Sequence, residues 1–330
     1  MKGRQVVWTG PGVVTVEEKE VKEPGAGQVL VKSKYTLISP GTERAFLLAM
    51  PNTSARFPCT SGYNNVGEIV ELGEGVEDLK VGDLVASSGS HSEYVIVSEE
   101  GAIPIDQTMD LRQAAAFNMV AIALQGVRKA QIELGEPVLV IGLGMVGNLA
   151  LQLSRLSGGL PVGATDTEPS RLELAKACGA DFTFNAREED LARKLKDLTV
   201  GGPAVVFEST GHPAPVNDAF QYAGWRGRVV LLASTRGETE KVNFYRDVHK
   251  KGLTILGAHA GVRPRRDNSK GFWNWPADCK VALELIASER LQIEPLISHE
   301  HSANDAAEAY NLLVKWLPEF TGGLLNWDDS

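Results

Sequence analysis

The chain has 330 residues, 43% of them hydrophobic and 23% charged, enough to bury ordinary cores and to form two domains. A formal net charge of −9 gives no basic footprint of the kind a phosphate-backbone binder needs, so nucleic acid is not an expected partner, although the run Arg263, Arg265, Arg266 stands out locally. No window approaches the ~18 apolar residues of a membrane span, and the start "MKGRQVVWTG" lacks the apolar stretch of a secretory signal, so the expectation is a soluble, cytoplasmic protein with no membrane partner.

The first hundred residues are rich in Gly and Pro and alternate in period two. "GQVLVKSKYTLIS", "VGEIVELG", "GDLVASSG" and "SEYVIVS" are each bounded by turn residues, as short strands of a barrel-like all-β domain would be. Cys59, Cys178 and Cys279 lie far apart and form no CxxC, which rules out a four-thiolate zinc site within the chain and makes three separate thiols the expectation. Near Leu111 the pattern changes: "LRQAAAFNMVAIALQGVRKA" has helical apolar spacing and no proline, and predicts one or two helices.

From Pro137 a βα rhythm begins. The apolar run "VLVIG" meets "GLGMVG" (Gly142, Gly144, Gly147) and then the helical "NLALQLSRL", the strand, glycine turn and helix order of a dinucleotide fold. Gly142 suits the tight turn, Gly144 a close approach of backbone to a pyrophosphate, and Gly147 close packing of helix on strand, with helix N–H groups facing the anion. "LPVGATD" ends at Asp166, 19 residues beyond Gly147 and close to the spacing of about 20 for a ribose-binding acid. A carboxylate there would accept from the ribose hydroxyls and repel a 2′-phosphate, which favours NAD over NADP. The alternative is an ordinary αβ turn with a solvated acid at a strand end. Pro169 suits a first helical turn and Gly179 a C-terminal cap. "AVVFESTG", "GRVVLLAS" and "GLTILGAH" supply three further strands of a parallel sheet, with the helical "APVNDAFQYAG" after the first.

Taken together, "GQVLVKSKYTLISPGTE", "VGEIVELGEGVEDLKVGDLVAS" and the glycine turn resemble the medium-chain dehydrogenase/reductase superfamily over essentially the whole chain. The resemblance implies an α/β protein: a GroES-like β-barrel catalytic domain over 1–120, a Rossmann domain with a doubly wound parallel sheet over 121–258, and a return segment over 259–330 completing the catalytic domain. It implies NAD held by Thr42, Gly142, Gly144, Met145, Val146, Gly147, Asp166, Arg171, Ser209, Thr210, Ala233 and Ala258. It also implies pairing of two cofactor domains through the last Rossmann strand, hence a homodimer or a dimer of dimers.

Relatives of this superfamily that bind catalytic zinc carry a Cys, a His and a third ligand at places read here as Pro40, Tyr63 (with Asn64) and Asn118, none of them a good zinc ligand. The chain therefore resembles a zinc-lacking branch, and "LISPGTER", "GYNNVGE", "SHSEYV" and "IALQG" are similar to sugar or glycoside dehydrogenases, to the N-terminal halves of bidomain oxidoreductases and to bacteriochlorophyllide hydroxyethyl dehydrogenase. Zinc lowers the pKa of bound water from 15.7 to about 7; without it, oxidising an alcohol needs a side-chain base. The candidates are His91 in "SSGSHSEYV", which could equally be a loop histidine bonded to backbone, and Tyr63, whose phenol, with an ordinary pKa of about 10, could relay a proton or simply fill the space of the missing metal sphere. Thr42 would pass the proton along, and Glu43 would chiefly orient neighbouring N–H groups, with general base as its lesser role.

Asn64, Asn65 and Asn118 offer amides that suit a small, hydroxyl-rich substrate, since an apolar enone would leave them unpaired. Trp273 and Trp275 could stack on a sugar face or equally pack a lid or a subunit contact, and His259 could line the pocket. Whether Arg263, Arg265 and Arg266 recognise an anion stays open. Two other functions remain: a reductase of quinones or activated double bonds, and an NADH-binding protein without turnover.

Overall fold

The computed structural model describes residues 1–54 and 56–328. The chain divides into two compact units, one formed by Met1–Met119 together with the segment from Cys279 onward, the other by Val120–Asp278.

The first unit is built from β1 (Lys2–Gly10), β2 (Val13–Glu20), β3 (Gln28–Ile38), α1 (Pro40–Leu47), β4 (Cys59–Thr60), β5 (Asn65–Leu72), β6 (Leu84–Ser87), β7 (Tyr94–Ser98), β8 (Ile103–Pro104) and α2 (Leu111–Ala114). The predicted strands form, but their burial does not alternate: Val29, Leu30 and Val31 are buried in succession in β3, as are Thr36, Leu37 and Ile38, and so are Asn65, Val66 and Gly67 in β5, because both faces of these strands are covered. α3 (Phe117–Ala130) then leads into the second unit, so the alanine-rich stretch does break into two helices.

The second unit contains β9 (Val138–Ile141), α4 (Met145–Leu156), β10 (Val162–Asp166), α5 (Pro169–Ala177), β11 (Phe182–Asn185), α6 (Leu191–Leu198), β12 (Val205–Glu208), α7 (Pro215–Tyr222), β13 (Arg228–Leu231) and β14 (Thr254–Gly257). Its six strands are parallel in the order β11-β10-β9-β12-β13-β14, which reverses direction of growth between β9 and β12. Ligands of doubly wound sheets bind at such a reversal, outside the carboxyl ends of the strands. Every residue of β9 and β12 is buried, as central parallel strands require, whereas β14 forms the sheet's edge with Thr254 and Ile255 exposed. Pro169 opens α5, and Gly179, at φ +98°, follows its last turn.

α8 (Trp275–Ala287) spans the boundary between the units, and β15 (His299–Ser302), α9 (Ala306–Val314) and β16 (Gly323–Asn326) complete the first. Residues 259–278 belong to the same unit as the parallel sheet, so the second unit ends at Asp278 rather than at the residue 258 expected from sequence. Arg263 is the reason: its Nε donates to Asp278 Oδ2 at 3.1 Å and its Nη2 to the Ala121 carbonyl at 2.6 Å, tying the segment to α3. β16 pairs antiparallel with β3, giving the first unit a sheet ordered β15-β16-β3-β5-β6-β8, with β7 also on β3. No helix among the described residues is long and apolar enough to cross a membrane.

Trp327, just after β16, is 1% exposed and packs in one cluster with Trp8, Ile38, Leu47, Tyr310, Phe320 and Leu325. Trp327→Ala should therefore lower stability by about 3–5 kcal/mol in urea unfolding; a loss below about 1 kcal/mol would mean that the C-terminal strand does not anchor this core.

Candidate active site

At the reversal of strand order, β9 runs into Gly142 at φ +88°, in the left-handed region that disfavours side chains. A Cβ there would also meet Thr210 N at 2.9 Å, and a Cβ on Gly147 would fall 1.9 Å from the Gly142 carbonyl oxygen. Both positions thus require glycine, one for the turn and one for the approach of α4 to it. Gly144 N-caps α4 with no side-chain cap and with open space where a Cβ would stand, which leaves first-turn N–H groups, including those of Met145 and Val146, available to an anion. Ser209 Oγ lies 2.8 Å from the carbonyls of both Ile141 and Gly142. This clasps the turn after β12 to the turn after β9.

Asp166 ends β10 and is 8% exposed. Its Oδ2 accepts from Leu143 N at 2.7 Å and its Oδ1 from Glu168 N at 3.0 Å, so the carboxylate is aimed at the glycine turn while keeping lone pairs for a ribose hydroxyl. Arg171 Nη1 stands 3.9 Å from Oδ2. Ala233 N donates to the Glu208 carbonyl at 3.1 Å. Ala258, by contrast, is 1% exposed; its N–H donates to the Leu231 carbonyl, and its own carbonyl accepts from the Gln125 side chain. It is not presented to a cofactor as expected, because both of its backbone groups are engaged.

His259 is exposed, and its Nδ1 accepts from Gly261 N at 3.0 Å, so the ring caps a local turn instead of lining a pocket. Trp273 carries the Arg128 guanidinium 3.7 Å from its ring centroid, which covers one face of the indole that a sugar would use. Arg128 and Arg263 share Asp278, each at 3.1 Å, and Arg263 is 7% exposed at its side chain. Of the three arginines, only Arg265 and Arg266 are exposed.

In the first unit, α1 follows Ser39 and carries Thr42, half-buried, and Glu43, 2% exposed. The Glu43 carboxylate accepts from Ser39 N at 2.7 Å, from His91 Nε2 at 3.1 Å and from the Tyr310 hydroxyl. His91 Nδ1 lies 2.7 Å from Thr36 Oγ1, which accepts from Trp327 Nε1 at 3.0 Å, and Ser61 Oγ lies 3.0 Å from the Tyr310 oxygen. One set of donor directions satisfies every member: indole to Thr36, Thr36 to Nδ1, Nε2–H to Glu43, and Ser61 to Tyr310, which donates to Glu43. Burial, reinforced by the Glu43 charge, holds the Tyr310 phenol well above its usual range, so it stays a proton donor.

Two catalytic expectations change accordingly. His91 is 0% exposed, with both ring nitrogens engaged and its backbone pinned between Val6 N and the Ser61 carbonyl, so it cannot take a substrate proton from this position. Glu43 is enclosed with it. Asn64 and Asn65 are also 0% exposed: Asn64 Nδ2 donates to the Leu37 carbonyl, and Asn65 bridges Ser33 Oγ and Ser87 Oγ, so these amides brace the barrel and do not hold substrate hydroxyls. Asn118, 6% exposed, donates through Nδ2 to the Tyr63 carbonyl at 2.9 Å. Tyr63 and Thr42 remain half-buried. Tyr310, Thr36, Trp327 and Ser61 were not anticipated; nothing in their spacing announces that they meet.

Zinc is the metal that relatives of this fold hold, and the residues present do not fit it. Pro40, Tyr63 and Asn118 offer neither thiolate, imidazole nor carboxylate. Among the described residues, no group of three or more His, Cys, Asp or Glu side chains is arranged to hold an ion.

Residues 25–107 match the family described as alcohol dehydrogenase GroES-like domain, and residues 145–276 match zinc-binding dehydrogenase. The chain is a medium-chain dehydrogenase. It is an oxidoreductase of the NAD(P)-dependent kind. It is 27% identical over 342 residues to D-guloside 3-dehydrogenase of Escherichia coli K12, covering 96% of this chain and 97% of that one. It is 26% identical over 337 residues to sorbitol dehydrogenase of Halalkalibacterium halodurans, with coverage of 92% and 93%. A solved structure described as a zinc-binding dehydrogenase from Sinorhizobium meliloti 1021, bound to NADP, superposes with a TM-score of 0.86 at 25% identity, covering 99% of this dehydrogenase and 100% of that chain.

Removing the Tyr310 hydroxyl leaves the buried Glu43 carboxylate and Ser61 each short of a partner. Tyr310→Phe should cost about 1–3 kcal/mol in chemical denaturation; an unchanged midpoint would show that Glu43 finds other donors.

Proposed function

We propose that the protein is a zinc-independent, NAD-dependent dehydrogenase acting between a secondary alcohol and its ketone on a sugar, glycoside or cyclitol. The observation that carries this reading is the donor set Pro40, Tyr63 and Asn118 where zinc-binding relatives keep their ligands, beside a dinucleotide turn that keeps all its glycines. The substrate class is supported by relatives named for D-guloside and sorbitol that align over more than nine-tenths of the chain.

Bound nicotinamide supplies the hydride acceptor or donor. The chain's own part begins with the first-turn N–H groups of α4, which hold the pyrophosphate over Gly144. Asp166 accepts from the ribose hydroxyls and repels a 2′-phosphate, which makes NAD the cofactor; Arg171, 3.9 Å away, is near enough that NADP is the outcome to check. As hydride leaves the carbinol carbon, the hydroxyl proton enters a relay through the Thr42 hydroxyl and the Tyr63 phenol, the two half-buried oxygens among the candidates, each giving up its own proton as it takes one, so that the proton is released to solvent water. Asn118 fixes the Tyr63 backbone. The exposed edge at Thr254 and Ile255 of β14 suits pairing with a second copy, giving a homodimer, and the cytoplasm suits an enzyme of soluble cofactor.

Enclosure of His91 and Glu43 also favours a second reading, reduction of an activated double bond, which makes smaller demands on proton transfer. One experiment separates the two: turnover with NAD and NADP on glycosides, sugars, sugar acids, cyclitols and quinones, with metal content measured on the same sample. The expected result is faster turnover with NAD on at least one polyhydroxylated substrate, no stoichiometric zinc and indifference to chelators. One zinc per chain lost together with activity would contradict the metal-free assignment, and activity on quinones alone would favour the reductase.

A further inference from the structure

Glu208 closes β12 with a side chain that is 0% exposed, and it belongs to none of the sets described above. Its Oε1 accepts from Thr210 N at 2.9 Å and from the Thr210 hydroxyl, while Oε2 is buried with no hydrogen-bond partner. Its backbone carbonyl accepts from Leu232 N at 2.9 Å and Ala233 N at 3.1 Å. Burial raises the carboxyl above its ordinary range, the two bonds from Thr210 working against that rise. A carboxyl so enclosed, with one oxygen unsatisfied, is a poor choice for stability; an apolar side chain of similar volume would fill the space without the desolvation penalty. Its presence there points to what only an acceptor can do.

What Oε1 holds is the turn that faces the glycine loop. Thr210 N lies 2.9 Å from where a Gly142 Cβ would stand, and Ser209, one residue earlier, bonds the Ile141 and Gly142 carbonyls. β9 and β12 are neighbours at the strand-order reversal, so a shift of the 209–210 turn is transmitted directly to Gly142. We propose that Glu208 is a positioning residue for the dinucleotide, its Oε1 fixing the Ser209–Thr210 turn against Gly142 so that the phosphate loop is held ready before the cofactor arrives. This rests on the glycine turn being the dinucleotide site. Glu208 need not touch the cofactor itself.

The test is NADH titration by fluorescence on the full-length protein, with thermal unfolding and the KM for NAD on the same variants. Glu208→Met keeps volume but removes the acceptor; it should melt no lower than the unaltered protein, bind NADH about tenfold more weakly and raise KM with kcat little changed. Glu208→Gln keeps an oxygen at the same reach and should restore affinity to within about threefold. Glu208→Asp keeps the charge but draws it back by one methylene, and should bind as weakly as the Met variant. Unaltered NADH affinity in Glu208→Met would overturn the proposal, as would strong binding by Asp with weak binding by Gln. If the Met variant does not fold, the comparison of Gln with Asp decides. Absence of NADH binding by the unaltered protein would overturn the underlying site assignment, and this proposal with it.

Discussion

The first unit is organised around one buried carboxylate. Glu43 gathers donors from Ser39 at the start of α1, from His91 in the loop before β7 and from Tyr310 in α9, and through His91 and Thr36 reaches Trp327 beyond β16. Segments separated by up to 267 positions in sequence therefore meet at one side chain. A carboxylate without these donors could not remain 2% exposed without a large penalty, so the barrel, its helix α1 and the returning C-terminal segment are mutually dependent. Thr42 sits next to Glu43 on α1, so the position of a half-buried hydroxyl is set by the fully buried carboxylate beside it.

The second unit depends on the opposite kind of constraint, the absence of side chains. Gly142 and Gly147 let the β9 turn and α4 approach to distances no Cβ would allow, and open space at Gly144 and helix N–H groups without a side-chain cap are left behind. In one unit an excess of polar partners is locked away from solvent; in the other, unsatisfied helix N–H groups are kept open. Glu208 joins the two principles, since it is a buried acceptor whose effect is to keep that open turn in place.

The places of the glycine turn after β9 and of Asp166 at the end of β10 were legible in the sequence because they follow from backbone geometry within a single βαβ unit, where spacing alone carries the information. The strands of the barrel were legible from their bounding turn residues and β-rich composition, although burial in β3 and β5 runs through successive residues and does not follow period two. The roles of His91, Glu43, Asn64 and Asn65 were not. Each is a polar residue in or beside a turn, and whether it faces a substrate or the interior depends on Thr36, Leu37, Ser33 and Tyr310, whose proximity no local pattern reveals. The second unit runs on to Asp278, past the expected residue 258, because Arg263, whose role the sequence left open, bonds Asp278 and Ala121. Glu208 had a signal that went unread: an acid closing the otherwise apolar run "AVVFE".

With His91 and Glu43 enclosed, the proposed proton transfer falls to Thr42 and Tyr63, and the phenol of Tyr63 is the more telling of them. It is half-buried where His91 is enclosed, and its backbone is braced by Asn118. The most direct measurement is turnover by Tyr63→Phe on the best secondary alcohol, with NADH affinity and metal content determined on the same preparation. The account predicts a fall in kcat by about 10²–10⁴, the range of general acid–base assistance, with NADH affinity nearly unchanged. Turnover within about twofold of the unaltered enzyme would contradict it, because the proton would then leave by a route that does not involve this phenol.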